Sequence, residues 1–187
     1  MTPFAGFFWS TGVTSSVGSL SFDPGADVGA TLALQVDHVS QVQVLYVFAR
    51  PQARFEPSTP FYAPSPLFGV TTQYLQIGGL STFQQGKLEP FLAGGLGIAW
   101  FSPSAVRTAG GESIQPADTW LFSVNLGLGV KWFLSSAFGL RLEARAYMPV
   151  YFTSGTFLSG PNGAALQVSA GIPLVQGDVS LGLLFAP

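Results

Sequence analysis

From Leu126 to Val150, in LGLGVKWFLSSAFGLRLEARAYMPV, apolar and polar positions trade places residue by residue. Val124, Leu126, Leu128, Val130 and Trp132 fall on one side of an extended chain, and Ser123, Asn125, Gly127, Gly129 and Lys131 on the other. After a break, Leu140, Leu142, Ala144, Ala146 and Met148 oppose Arg141, Glu143, Arg145 and Tyr147. A strict period of two marks a β-strand with chemically distinct faces. The short Ser135-Ser136 link then predicts an antiparallel pair.

The same pattern predicts eight strands along the chain, at about Phe4 to Thr14, Val28 to Val36, Gln41 to Phe55, Phe68 to Phe83, Leu88 to Phe101, Trp120 to Leu134, Gly139 to Phe152 and Val175 to Phe185. Their connections alternate. DHVS (Asp37 to Ser40), QQGK (Gln84 to Lys87) and SSAF (Ser135 to Phe138) are short. The links after strands one, three, five and seven are long and rich in Pro, Gly and Ser, as in SSVGSLSFDPGAD and SPSAVRTAGGESIQPADT. Tight turns at one rim and long loops at the other are the connections of an antiparallel up-and-down transmembrane β-barrel.

The faces agree with that topology. Strand two sets Leu32, Leu34 and Val36 against Thr31, Ala33 and Gln35, and strand five sets Leu92, Leu96, Ile98 and Trp100 against Glu89, Ala93, Gly95, Gly97 and Ala99. The interior of an eight-stranded barrel is just wide enough to be filled by side chains, so the small and polar face is expected inside. The third strand fits least well, because Leu45 and Val47 share a parity with Gln43 and point inward; Phe8 and Phe91 are also candidates for an apolar part of the lumen.

Composition explains why the outer face is apolar. Of 187 residues, expected to form a single domain over 1–187, 48% are hydrophobic and 9% charged, against about 25% charged in soluble domains. Too few charges exist to coat a water-facing exterior, which counts against a soluble lipocalin-like barrel of inverted polarity. No run reaches the roughly 18–20 apolar residues of a spanning helix, and strands in lipid must close on themselves to satisfy every backbone group. The 23 glycines and 17 phenylalanines suit pleated, aromatic strands better than helices. A net charge of -2 excludes a basic nucleic-acid footprint. With no cysteine there is no disulfide or thiolate metal site. The opening MTPFAGFFWS lacks the basic start and small-residue cleavage site of a signal peptide.

Aromatic residues gather where strands meet their connections, as at membrane interfaces. Trp100, Phe101, Trp120 and Phe122 flank the long fifth link, and Trp132, Phe133 and Phe138 the short sixth one. Two girdles are expected, one at each rim.

With LEPFLAGGLGIAWFSP, FSVNLGLGVKWFLSSAFGLRLEARAYM and the closing GDVSLGLLF, the chain resembles the small eight-stranded bacterial outer-membrane β-barrel proteins of the OmpA-like type. The shared motifs are a Pro-aromatic-x-x-x-Gly-x-Gly strand, a Gly-x-Gly-x-Lys-x-Phe-Leu strand and a Gly-Leu-Arg-x-Glu-x-Arg strand, and the likeness spans nearly the whole chain. It implies a Gram-negative outer-membrane location, with the lipid bilayer and the barrel assembly machinery as partners. It also implies a C-terminal insertion signal, which Val179, Leu181, Leu183 and Phe185 match; Ala186 and Pro187 run past the usual terminal aromatic. An even strand number returns both termini to the periplasmic side.

If leucines face lipid, Lys131, Arg141, Glu143 and Arg145 face the lumen, with Glu89 and Asp178 at the same parity. Opposite charges in equal number are expected to pair, since a desolvated charge is tolerable only when paired and hydrogen-bonded. Glu89 is expected near Lys131 at the periplasmic end and Asp178 near Arg145 above it. The network is expected to plug the lumen; the alternatives are a narrow polar pore or a passage for small hydrophobic molecules. Enzymatic chemistry is not expected. The sole histidine, His38, lies in a short turn away from the long links where an active site would assemble, and the plentiful serines lack a partner base. Asp23 and Asp27 lack the spacing of a calcium loop, and GGLG at Gly94 to Gly97 is not a phosphate loop. No cofactor or metal is implied. A structural or interaction scaffold acting through its extracellular loops is the favoured reading, with RFEPSTPFYAPSPLF (Arg54 to Phe68) as a candidate surface for an unknown extracellular ligand.

Overall fold

The computed structural model describes residues 1–15, 18–57, 65–83, 86–107, 113–114, 117–150, 156–159, 165–167 and 175–185. Eight strands form the wall: β1 (Thr2–Ser10), β2 (Gly25–Gln35), β3 (Ser40–Ala49), β4 (Ser65–Thr82), β5 (Leu88–Pro103), β6 (Thr119–Phe133), β7 (Phe138–Val150) and β8 (Gln176–Phe185). Each pairs antiparallel with its neighbour in the chain, and β1 pairs with β8, closing the barrel. No helix occurs among the described residues. Of the sequence-based expectations, Phe152, Gln84, Gln85, residues 58–64, Ala186 and Pro187 lie outside the described residues.

The wall departs from the expected boundaries where proline interrupts it. The run expected from Gln41 to Phe55 breaks at Arg50 and Pro51, then resumes as a short strand, Gln52–Pro57. Within the link expected to be a loop, Gly18–Asp23 is a strand separated from β2 by Pro24. Proline has no N–H to give a ladder, so it ends one stretch of pairing and lets the next change direction. Gly18–Asp23 pairs with Gln52–Pro57 on one side and with Val13–Ser15 on the other, and Gln52–Pro57 pairs with the start of β4. The wall therefore rises past the loop rim as a ribbon.

Short turns close the opposite rim. The Asp37 carboxylate accepts hydrogen bonds from the backbone N–H groups of Val39 and Ser40, each at 2.8 Å; these donors hold it below the usual carboxylate range. Ser135 Oγ accepts from Phe138 N–H at 3.1 Å. Gly86 sits at φ 146°, a conformation that residues with a Cβ rarely adopt.

Side chains sort by parity as expected. Leu34, Ile77, Leu96, Leu128, Leu142 and Leu181 are exposed on the outer face. From Trp120 to Trp132 a strand rising about 3.3 Å per residue at a tilt near 40° climbs about 30 Å, enough to cross a hydrocarbon layer. At the loop rim Trp100 and Trp120 stack at 4.6 Å, Trp100 Nε1 donates to Asp118, and Tyr46 donates to Gln73 at 2.7 Å. Phe122 is also exposed there. At the turn rim Trp132 is exposed and Phe138 packs edge-on against Phe185, centroids 5.8 Å apart. Two girdle assignments need correction. Phe101 is buried in the lumen, and Phe133 lines the lumen mouth beside Lys131. Each follows a tryptophan directly, and neighbours on a strand cannot share a face.

Candidate functional site in the barrel lumen

The lumen is filled in layers. Towards the loop rim lies an apolar cluster that includes Phe8, Val47, Tyr74, Phe101 and Tyr147. Tyr74 and Tyr147 stack with centroids 4.5 Å apart, and Phe101 meets Tyr74 edge-on at 6.3 Å. These residues come from β1, β3, β4, β5 and β7, so the cluster ties opposite sides of the barrel together, as where Tyr74 on β4 meets Tyr147 on β7. It places Phe8 and Val47 inside, as parity required.

Below the aromatics the lining turns polar. Tyr74 donates its hydroxyl to Gln176, Asn125 donates to Gln76, and Gln76 donates to Ser123 at 3.0 Å. Glu143 stands at the centre, held on β7 between the two arginines that share its face. Its carboxylate pairs with Arg141 at 2.9 Å and with Arg145. Arg145 also donates to Asn125, and Arg141 donates to Gln43 at 3.2 Å with its guanidinium 4.6 Å above the Phe91 ring. Glycines on β6 make the room: a Cβ on Gly127 would come within 2.8 Å of Glu143 Oε1, and one on Gly129 within 2.6 Å of Phe91 Cζ.

Towards the turn rim, Lys131 crosses the lumen to donate to Gln41 at 2.9 Å. Beyond it opens a vestibule of about 420 Å³ whose lining includes Glu89, Lys131, Arg141, Phe133 and His38. It is a recess in a filled barrel, with Lys131 and Arg141 buried in its lining.

Of the six expected lumen charges, Lys131, Arg141, Glu143, Arg145 and Asp178 are buried, and Glu89 is half-buried at the mouth. Glu89 and Lys131 are register partners across β5 and β6, as are Arg145 and Asp178 across β7 and β8. Register does not decide the bonds, however. Arg145 turns to Glu143 and Asn125, while Asp178 is hydrogen-bonded by Tyr147 and Ser180. Sequence reasoning missed Asp27, buried on β2 at 1% exposure, because the second strand was expected to begin at Val28. Its parity with Thr31 and Ala33 was the available signal. His38 lies exposed in its turn. Among the described residues no three His, Cys, Asp or Glu side chains cluster as a metal site.

No protein-family model matches the chain, and no curated protein matches it in sequence. Solved structures do match. Neisserial surface protein A (NspA) aligns at a TM-score of 0.55 with 15% identity, over 97% of this chain and 94% of that one. OprG, an outer membrane protein from Pseudomonas aeruginosa, aligns at 0.56 with 12% identity, over 99% and 95%. The chain has the fold of the small eight-stranded outer-membrane β-barrels. Within that fold closure and face alternation are common property, and a likeness at 12–15% identity leaves the lumen contents to be argued from this chain's own residues.

Proposed function

We propose that the protein resides in the bacterial outer membrane as a plugged barrel, with both termini periplasmic, and acts as a scaffold whose long links meet partners outside the cell. One observation carries this reading: an apolar cluster of five walls lies directly over a salt-bridged layer, so a passing ion would have to displace both. The ribbon built from Gly18–Asp23 and Gln52–Pro57 supports the scaffold role, because it extends the rigid wall towards the loops. Lipid is the partner of the leucine face. The barrel assembly machinery is proposed to read β8, whose Val179, Leu181, Leu183 and Phe185 are all exposed outward.

The vestibule favours the alternative of a narrow channel as far as Lys131, beyond which the lumen is filled. Single-channel recording on protein refolded into a planar bilayer separates the two. The plugged reading expects no steady current at neutral pH; stable, voltage-independent ion flow through the wild-type protein would replace it with the channel.

A further inference from the structure

With Asp27 added, the lumen holds the carboxylates of Asp27, Asp178, Glu143 and Glu89 against the cations Lys131, Arg141 and Arg145. Charge alone leaves one carboxylate without a counterpart. Geometry identifies where. Asp27 on β2 and Ser180 on β8 are both register partners of Gly6 on β1, and Asp178 is the next inward residue along β8. Gly6 presents no side chain, and Asp27 occupies the gap: a Cβ there would fall 2.7 Å from Asp27 Oδ1 and 2.8 Å from Ser180 Cβ. Two carboxylates thus flank one strand. Both oxygens of Asp27, and Oδ1 of Asp178, are buried without a hydrogen-bond partner.

The groups facing this pair do not neutralise it. From β7 come Glu143; Tyr147, which hydrogen-bonds Asp178; and Arg145, whose guanidinium is engaged by Glu143 and Asn125. From β4 comes Tyr74, stacked on Tyr147. The inward residues Phe4 and Phe8 of β1, and Leu45, Val47 and Ala49 of β3, carry no charge. Among the described residues neither aspartate makes an ion pair. A bare carboxylate in a desolvated site neutralises itself rather than stay charged, and two carboxylates sharing a site lose their protons as a coupled pair. Three unpartnered oxygens with two hydroxyls fall short of the six to eight ligands that calcium takes.

We propose that Asp27 and Asp178 form a proton-binding site in the lumen, holding one proton between them at neutral pH. The proton comes from solvent, and the O–H bond it forms gives the pair a donor as well as acceptors. This goes beyond the plugged-barrel reading and does not depend on whether the barrel conducts.

Infrared spectroscopy on protein folded in phosphatidylcholine vesicles tests the site, in buffers whose only cation is choline. The wild type is expected to show one protonated-carboxyl carbonyl band at neutral pH. Asp27→Asn shifts it, because Asp178, unpaired in the same desolvated site, keeps a proton in altered surroundings, and the double variant Asp27→Asn with Asp178→Asn abolishes it, whereas Glu89→Gln at the mouth leaves it in place. Asp178→Asn, the second variant should Asp27→Asn fail to fold, shifts the band, because Asp27 keeps a proton in altered surroundings. Absence of the band in the wild type overturns the proposal, as does a band unmoved in Asp178→Asn. A melting temperature raised by sodium or calcium in the wild type, and not in either aspartate variant, would make the occupant a metal ion and overturn it equally.

Discussion

Glu143 is the residue on which the plug turns, and Glu143→Leu tests it. Its carboxylate is the shared anion of Arg141, at 2.9 Å, and Arg145, with only 7% of the side chain exposed. Removing one partner of a buried pair costs about 3–5 kcal/mol, because the other charge is left desolvated. Two arginines lose their anion here, yet each keeps a neutral acceptor, Gln43 or Asn125, and Arg141 keeps its place over Phe91. The two losses are therefore expected to total about 4 kcal/mol, the cost of one broken pair, instead of doubling. Against a total stability of roughly 5–15 kcal/mol the barrel should still fold, with its denaturation midpoint far lower. Equilibrium urea unfolding in lipid vesicles, followed by fluorescence of the outward Trp120 and Trp132, reads the change. Replacing Arg141 and Arg145 by methionine in the same chain should recover most of the loss, since a neutral apolar filling needs no counter-charge. A loss below about 1 kcal/mol for Glu143→Leu alone would refute the reasoning: it is the size expected of a solvent-screened pair, and the lumen would then be wet.

Two further outcomes test the outer face and the turns. Leu128→Arg, at mid-height on the exposed face of β6, should cost about 2–4 kcal/mol in the same urea assay, and Leu134→Arg at the turn rim about 0–1 kcal/mol, because the penalty depends on depth. For Asp37, whose folded carboxylate is held below its ordinary range by the Val39 and then the Ser40 N–H, the stabilisation is present above the unfolded value and is lost as pH falls through the folded one. Amide exchange at Val39 and Ser40, followed by NMR, should slow on acidification less than base catalysis alone predicts, and Asp37→Ala should remove that difference.

Strand parity made the barrel legible. Because a one-residue slip would turn every leucine inward, the alternation at Leu126 to Trp132 or Val179 to Phe185 admits a single assignment of faces, and each charged residue's side of the wall follows. The same rule, applied one residue further, would have turned Phe101 and Phe133 inward. Grouping aromatics by their nearness to a link hid that, because chain proximity to a rim says nothing about which way a side chain points. Strand ends were less legible: Pro24 and Pro51 break the wall without ending it, so a Pro-rich segment that reads as loop is partly ribbon.

The lumen pairs were beyond what parity conveys, for a reason specific to a narrow barrel. Register places Arg145 beside Asp178, but a guanidinium on a long stem reaches Glu143 two positions away on its own strand as easily as a partner across the ladder. Lys131 likewise extends from β6 to Gln41 on β3, which neither adjoins it nor bears a charge. In so small an interior every inward group competes for every other, so pairing is decided by where space is left. That space lies over Gly127, Gly129 and Gly6, positions that carry no chemistry of their own. Glycines on the inner face therefore mark where the arginines, Phe91 and Asp27 lie, and substituting them would rearrange the network without touching a charge.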